Sequence, residues 1–231
     1  MGDLKEIQKR KARKLLKSGV EILDLDKIEI RGKLRCGKNV EIGTNVIIEG
    51  DVVLGSSVKV ESNTIIISSN VGDKTKIKSF SSIKKSFVGK DCIIGPYARL
   101  RTGSKIGNFS QIGSFVEIKN SIIGSNCRIN HMAFLGDAKL GRDITIGAGT
   151  ITCNHDGVGA CKTIIESGSY IGSNVNLVAP VKVSANSTIG SGSTITTNVP
   201  KGKLTIARAR QTTISNWKGP KSKKIQKHKN L

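Results

Sequence analysis

Residues 88–118 read VGKDCIIGPYARLRTGSKIGNFSQIGSFVEI, and Val88, Ile94, Leu100, Ile106, Ile112 and Ile118 fall six residues apart along the stretch. The same beat extends outward in both directions. Upstream it runs through Cys36, Ile42, Ile48, Leu54, Val60, Ile66, Val71, Ile77 and Ile83. Downstream it continues at Ile123, Ile129, Leu135, Leu140 and Ile146, and after one gap at Ile165, Ile171, Leu177, Val183, Ile189 and Ile195. Every member except Cys36 is Ile, Leu or Val, and fourteen are followed directly by Gly. A short fixed period of this kind marks a solenoid.

The residue types at each phase give the period a physical meaning. The aliphatic residue fills a narrow interior, and the following Gly is expected to supply a positive-φ corner without a Cβ penalty. Two residues before the aliphatic position the chain favours slim side chains, such as Thr75, Cys92, Ala98, Ser104, Ser110 and Cys127. These suit a corner where flat strands crowd together. Three six-residue sides close one triangular coil, which predicts eight or nine coils stacked by parallel strand pairing, an all-β solenoid. The period alone does not fix the handedness.

Composition agrees with this architecture. Aromatic residues make up 3% of the chain, too few for an ordinary globular core, so stacked Ile, Val and Leu must supply the interior. No stretch approaches the roughly 20 apolar residues of a membrane span, and no signal-peptide pattern is visible. Five cysteines without CxxC spacing argue against a disulfide framework or a zinc cluster. Cys36, Cys92 and Cys127 occupy repeat positions and are expected to be buried spacers. A reducing, cytoplasmic location fits.

Net charge is +21, but it is concentrated at the ends. Residues 201–231 carry ten Lys or Arg and no acid, and residues 1–20 carry seven against two. The remaining body holds 38 − 17 = 21 basic and 17 − 2 = 15 acidic residues, a balance of only +6. Residues 218–231 are expected to form a disordered basic tail. Nucleic-acid binding is not expected, because no aromatic side chain stands among those lysines. Residues 1–20 are predicted to form a linker-like helix, 33–197 the β-helix, and 198–217 a C-terminal arm. The gap in the period contains GAGTITCNHDGVGACKT, too polar and Gly-rich for another coil, which predicts an outward loop over 147–164.

Several longer stretches carry a resemblance. RGKLRCGKNVEIGTNVIIEGDVVLG, IGPYARLRTG, SFVEIKN, HMAFLGDAKLG, IGAGTITCNHDG and IGSNVNLVAPV are similar to the C-terminal acetyltransferase domain of the bifunctional bacterial enzymes that make UDP-N-acetylglucosamine, the GlmU family. The likeness covers residues 15–217, and residues 4–19 resemble the end of the helix joining that family's two halves. The family's pyrophosphorylase half has no counterpart in this sequence. The resemblance implies a left-handed parallel β-helix and a homotrimer with inter-subunit sites. It also implies acetyl transfer from acetyl-CoA to glucosamine 1-phosphate, a step toward peptidoglycan and lipopolysaccharide precursors.

The resemblance also assigns residues. His131 matches the catalytic base and Glu117 the carboxylate that orients it; an imidazole with an unperturbed pKa near ~6.5 suits proton removal from an ammonium. Arg101 and Lys119 match the cations that hold the phosphorylated sugar. Phe134 and Thr145 fall on acceptor-contacting positions. Ala148, through its backbone N–H, and Asn154, His155, Ser173, Ser191 and Arg208 fall on coenzyme-contacting positions. No metal is expected for this chemistry.

Four positions depart from the family pattern. Phe134 and His155 each stand where the family has Tyr, Thr145 where it has Asn, and Ala160 where it has a loop Lys. A lost hydrogen bond to a charged group costs roughly 1.5–3 kcal/mol, so an acetyltransferase with a changed amino-sugar acceptor is an alternative. A non-catalytic trimeric partner of a separate pyrophosphorylase chain is another. A carbonic anhydrase on the same solenoid needs three imidazoles on one zinc, and it is not expected, because the three histidines are His131, His155 and His228, the last in the tail.

Overall fold

The structure, a computed structural model, describes residues 2–217, so the expected disordered tail lies outside the described residues. One helix, Gly2–Lys17, precedes a ladder of short parallel strands. The chain winds as a left-handed parallel β-helix of about ten turns, somewhat longer than the eight or nine expected. One face stacks eleven strands, from Glu21–Ile22 to Leu204–Thr205. The ladder therefore begins before residue 33 and ends after residue 197. The register fixes the repeat: Val71 lies over Val88, and Val88 over Ile106, so a coil takes 17 or 18 residues.

The period found in the sequence is the interior of this rod. Ile42 through Ile195, all of the aliphatic series after Cys36, are buried, while Cys36 is only partly covered. The slim corner residues are buried too, and they do more than save space. The hydroxyls of Thr75, Ser104 and Ser110 donate to Gly89 O at 2.8 Å, Ile118 O at 2.9 Å and Gly124 O at 3.0 Å in the next coil. The Thr75 and Ser110 hydroxyls thus satisfy carbonyls that no backbone N–H reaches among the described residues, while Ile118 O accepts from Arg101 N at 2.8 Å as well as from Ser104. Burial raises the Cys127 thiol to about 11 and pushes the buried Cys92 thiol upward as well, so both are protonated spacers at neutral pH.

The glycines play a different part from the one expected. Of the fourteen that follow a member of the series, only Gly95 has positive φ, at 91°. The left-handed conformation falls two residues later, at Asn39, Asn45, Asn63, Asp91 and other residues in that phase. Asn and Asp tolerate that region better than most side chains. The glycines instead permit close stacking. A Cβ on Gly72 would lie 2.7 Å from the backbone carbon of Gly89, and one on Gly107 would lie 2.6 Å from that of Gly124.

The break in the period is shorter than predicted. Ile151–Cys153 remains a strand, and Thr152 takes the inward position between Ile146 and Ile165, fully buried opposite Leu177. Only residues 154–162 leave the rod. After the Val199 bridge to Val183 and the strand Leu204–Thr205, residues 206–217 carry no helix or strand. Among the described residues, no helix is long and apolar enough to cross a membrane.

Candidate active site

The coil register gathers several of the predicted site residues along one corner. Ser114 pairs with His131, and the pairings Ile129–Ile146, Ile146–Ile171 and Ile171–Ile189 carry the same line downward. His131, Ala148, Ser173 and Ser191 therefore occupy equivalent corners of four successive coils, ~4.8 Å apart per step. Hydrogen bonds between coils run alongside: Asn174 N donates to Ala148 O at 2.7 Å, and Ser173 N to Ser191 Oγ at 3.1 Å. Arg208 closes the line, its Nη1 donating to Ser191 O at 2.6 Å. The Ala148 N–H has no protein acceptor among the described residues. His131 is exposed and borders a cleft of about 290 Å³ that Lys78, Pro96, Gln111 and Ser114 also line.

A second set lies on the next face. Arg99 pairs with Glu117 and Glu117 with Phe134, which places Arg101 directly over Lys119 one coil away. Glu117 is held from one side: Arg101 Nη1 donates to its Oε1 at 2.8 Å and Arg99 Nη1 to its Oε2 at 3.3 Å. No hydrogen bond joins Glu117 to His131 among the described residues. The reason is register, since the residue beside Glu117 is Phe134, three positions past His131. The expected carboxylate–imidazole pair is thus replaced in the single chain by a carboxylate–guanidinium pair.

The loop is rooted at the far corner of that face. Asn120 Nδ2 and Asn154 Nδ2 donate at 2.5 Å each to the two oxygens of Asp137, which is 8% exposed. Asp137 is not among the residues expected at the site, although Asn120, Asp137 and Asn154 stand seventeen residues apart, one coil each. Beyond Asn154 the loop folds on itself. His155 bridges Ala160, and Asp156 Oδ1 accepts from Val158 N at 2.9 Å and Gly159 N at 2.7 Å. Those N–H groups hold the Asp156 carboxyl below its ordinary pKa. His155 Nδ1 accepts from Gly157 N at 3.0 Å, so that nitrogen is occupied within the loop.

Thr145 stands apart from both sets. It faces outward on the first face, between Arg128 and Tyr170 in the ladder, on the other side of the His131 corner from Glu117 and Phe134. One chain thus provides a corner line and a cationic face, with the twelve predicted residues divided among these, the first face and the loop. Among the described residues, no group of three or more His, Cys, Asp or Glu is placed to hold a metal ion.

Comparisons with known proteins bear on this arrangement. A family model described as the GMPPB C-terminal domain matches residues 30–109. Among solved structures, an Arabidopsis UDP-N-acetylglucosamine acyltransferase superposes with a TM-score of 0.56 at 15% identity, covering 78% of this chain and 70% of that one, a likeness of fold alone. Among curated proteins, the bifunctional protein GlmU of Ralstonia pickettii is 45% identical over 97% of this chain and 50% of its own length. That of Nitrosospira multiformis is 47% identical over 94% of this chain and 47% of its own. The chain spans about half the length of the curated relatives it matches. Along nearly all of its own length, the chain is a homologue of about half of the bifunctional GlmU proteins.

Proposed function

We propose that this chain is an acyltransferase that moves the acetyl group of acetyl-CoA onto the amine of glucosamine 1-phosphate, toward UDP-N-acetylglucosamine. The observation that carries the reading is the corner line of His131, Ala148, Ser173 and Ser191 ending on Arg208. It suits an extended coenzyme, with the Arg208 guanidinium toward its phosphates and the free Ala148 N–H toward the thioester oxygen. The acceptor nitrogen attacks the thioester carbonyl as His131 takes its proton. The carbon–sulfur bond then breaks, and the proton passes to the departing thiolate.

Arg101 over Lys119 supplies two stacked cations for the sugar phosphate, and Glu117 fixes the direction of Arg101. Because Thr145 lies on the first face and the Asn154 loop at the far corner of the cationic face, with the His131 corner between them, we infer that the complete site forms between copies of the chain, in a homotrimer. Purified protein supplied with acetyl-CoA and glucosamine 1-phosphate is expected to release CoA, and His131→Ala to abolish release while the rod stays folded. Near-normal turnover in that variant removes His131 from the chemistry.

A second reading keeps the transfer and changes the acceptor. Phe134 brings no hydroxyl to the position beside Glu117, and Ala160 brings no cation to the loop. A panel of amino-sugars assayed for CoA release separates the two, and preference for glucosamine 1-phosphate rejects the second.

A further inference from the structure

The N-terminal helix and the first long strand, Ile28–Cys36, enclose a groove of about 540 Å³ far from the corner line. Lys11, Lys14 and Lys17 stand on the helix wall around Leu15, and Lys33 and Arg35 on the strand wall around Leu34. No carboxylate lines it. Lys14, Lys17, Lys33 and Arg35 make no ion pair among the described residues, whereas the neighbouring Lys9, Arg13 and Arg31 are each matched by an acid.

The walls are fixed in place. Ala12 is fully buried and Leu15 packs against the core. Lys11 Nζ reaches across to Ile30 O at 3.3 Å and Gly32 O at 2.9 Å. Like charges held on two facing walls repel one another, and an anion between them turns that repulsion into attraction. The apolar floor of Leu15, Ile30 and Leu34 adds room for an uncharged body. A volume of this size falls within the ~300–1,000 Å³ of small-molecule sites. A flat bilayer cannot reach a floor that stands between a helix and a strand.

We propose that this groove binds a soluble organic diphosphate of nucleotide size, with its phosphates between Lys14 and Lys17 on one wall and Lys33 and Arg35 on the other. Its apolar body lies on Leu15 and Leu34. The site is independent of acetyl transfer, because it shares no residue with the corner line.

Calorimetric titration of the full chain with ADP tests it, with inorganic pyrophosphate and phosphatidylglycerol vesicles as comparison probes. The expected result is one ADP per chain, bound at least tenfold tighter than pyrophosphate. The exposed pair Lys14→Glu with Lys33→Glu is expected to weaken binding by at least about 30-fold, while Arg208→Ala leaves it unchanged. The proposal is overturned if ADP does not bind, if pyrophosphate binds as tightly, or if the double variant retains binding. Loss of binding in Arg208→Ala, which would assign the ADP to the corner line, overturns it equally. So does vesicle binding in the absence of ADP binding, which would make the surface a lipid contact.

Discussion

Arg101 and Glu117 face one another across adjacent coils at 2.8 Å, and Arg99 occupies the second carboxylate oxygen. The pairing places Glu117 beside Arg101, which we propose holds the sugar phosphate. In Glu117→Gln, KM for glucosamine 1-phosphate is expected to rise about tenfold, with kcat within about threefold of the parent, the signature of lost ground-state binding. A fall in kcat at unchanged KM, or a displaced pH profile, would return Glu117 to the service of His131.

The close stacking of coils makes a sharp distinction among glycines. Gly107→Ala drives a Cβ to within 2.6 Å of the Gly124 backbone, which no side-chain rotation relieves. Overpacking of this kind costs typically 1–3 kcal/mol, or several degrees in Tm for a chain of this length. Gly159→Ala meets nothing within 4 Å and is expected to melt with the parent. Equal melting of both variants would show that the coils can part without penalty.

Most of the rod was legible because one rule repeats at every coil, and Val88 to Ile118 already contain it. The pattern is silent where a polar group takes a structural position. Thr152 interrupts the aliphatic pattern because it is polar, although it sits six residues after Ile146. The glycine phase is visible in the sequence but its reason is not, since sequence cannot separate a residue chosen for φ from one chosen for lack of a Cβ. At the site, the family resemblance assigns His131 and Arg208, and the register aligns the corner line. Asp137 carries no local signal, because its two partners are one coil before and one coil after it.

Thr152 gives a direct test of that polar interior. Its hydroxyl accepts from Gly136 N at 2.8 Å and lies 3.0 Å from Gly136 O. Thr152→Val keeps the shape and removes both bonds, leaving a buried N–H without a partner, at a cost of about 1–3 kcal/mol. A lower Tm is expected, together with faster amide exchange at Gly136 and along the Asn154 root of the loop. If Thr152→Val melts at or above the parent, the hydroxyl is a passive filler of an aliphatic slot.

Glu166, where the chain rejoins the rod after the loop, supplies the pH dependence. Its Oε1 lies 2.7 Å from Lys182 Nζ and its Oε2 accepts from Ala185 N at 2.9 Å. The Lys182 ammonium first, and then the Ala185 N–H, hold the carboxyl below its ordinary value of 4.5. A carboxylate whose folded pKa is depressed stabilises the fold above its unfolded pKa, and that contribution disappears as pH falls through the folded value. Glu166→Gln removes the charge at every pH. The variant is therefore expected to melt below the parent at pH 7, with the difference shrinking once the pH falls below 4.5 and vanishing when Glu166 is protonated in both states. A difference that persists unchanged into acid would mean that Glu166 acts through its hydrogen bond to Ala185 alone. Lys182→Met, which leaves that hydrogen bond intact, should then melt with the parent at neutral pH.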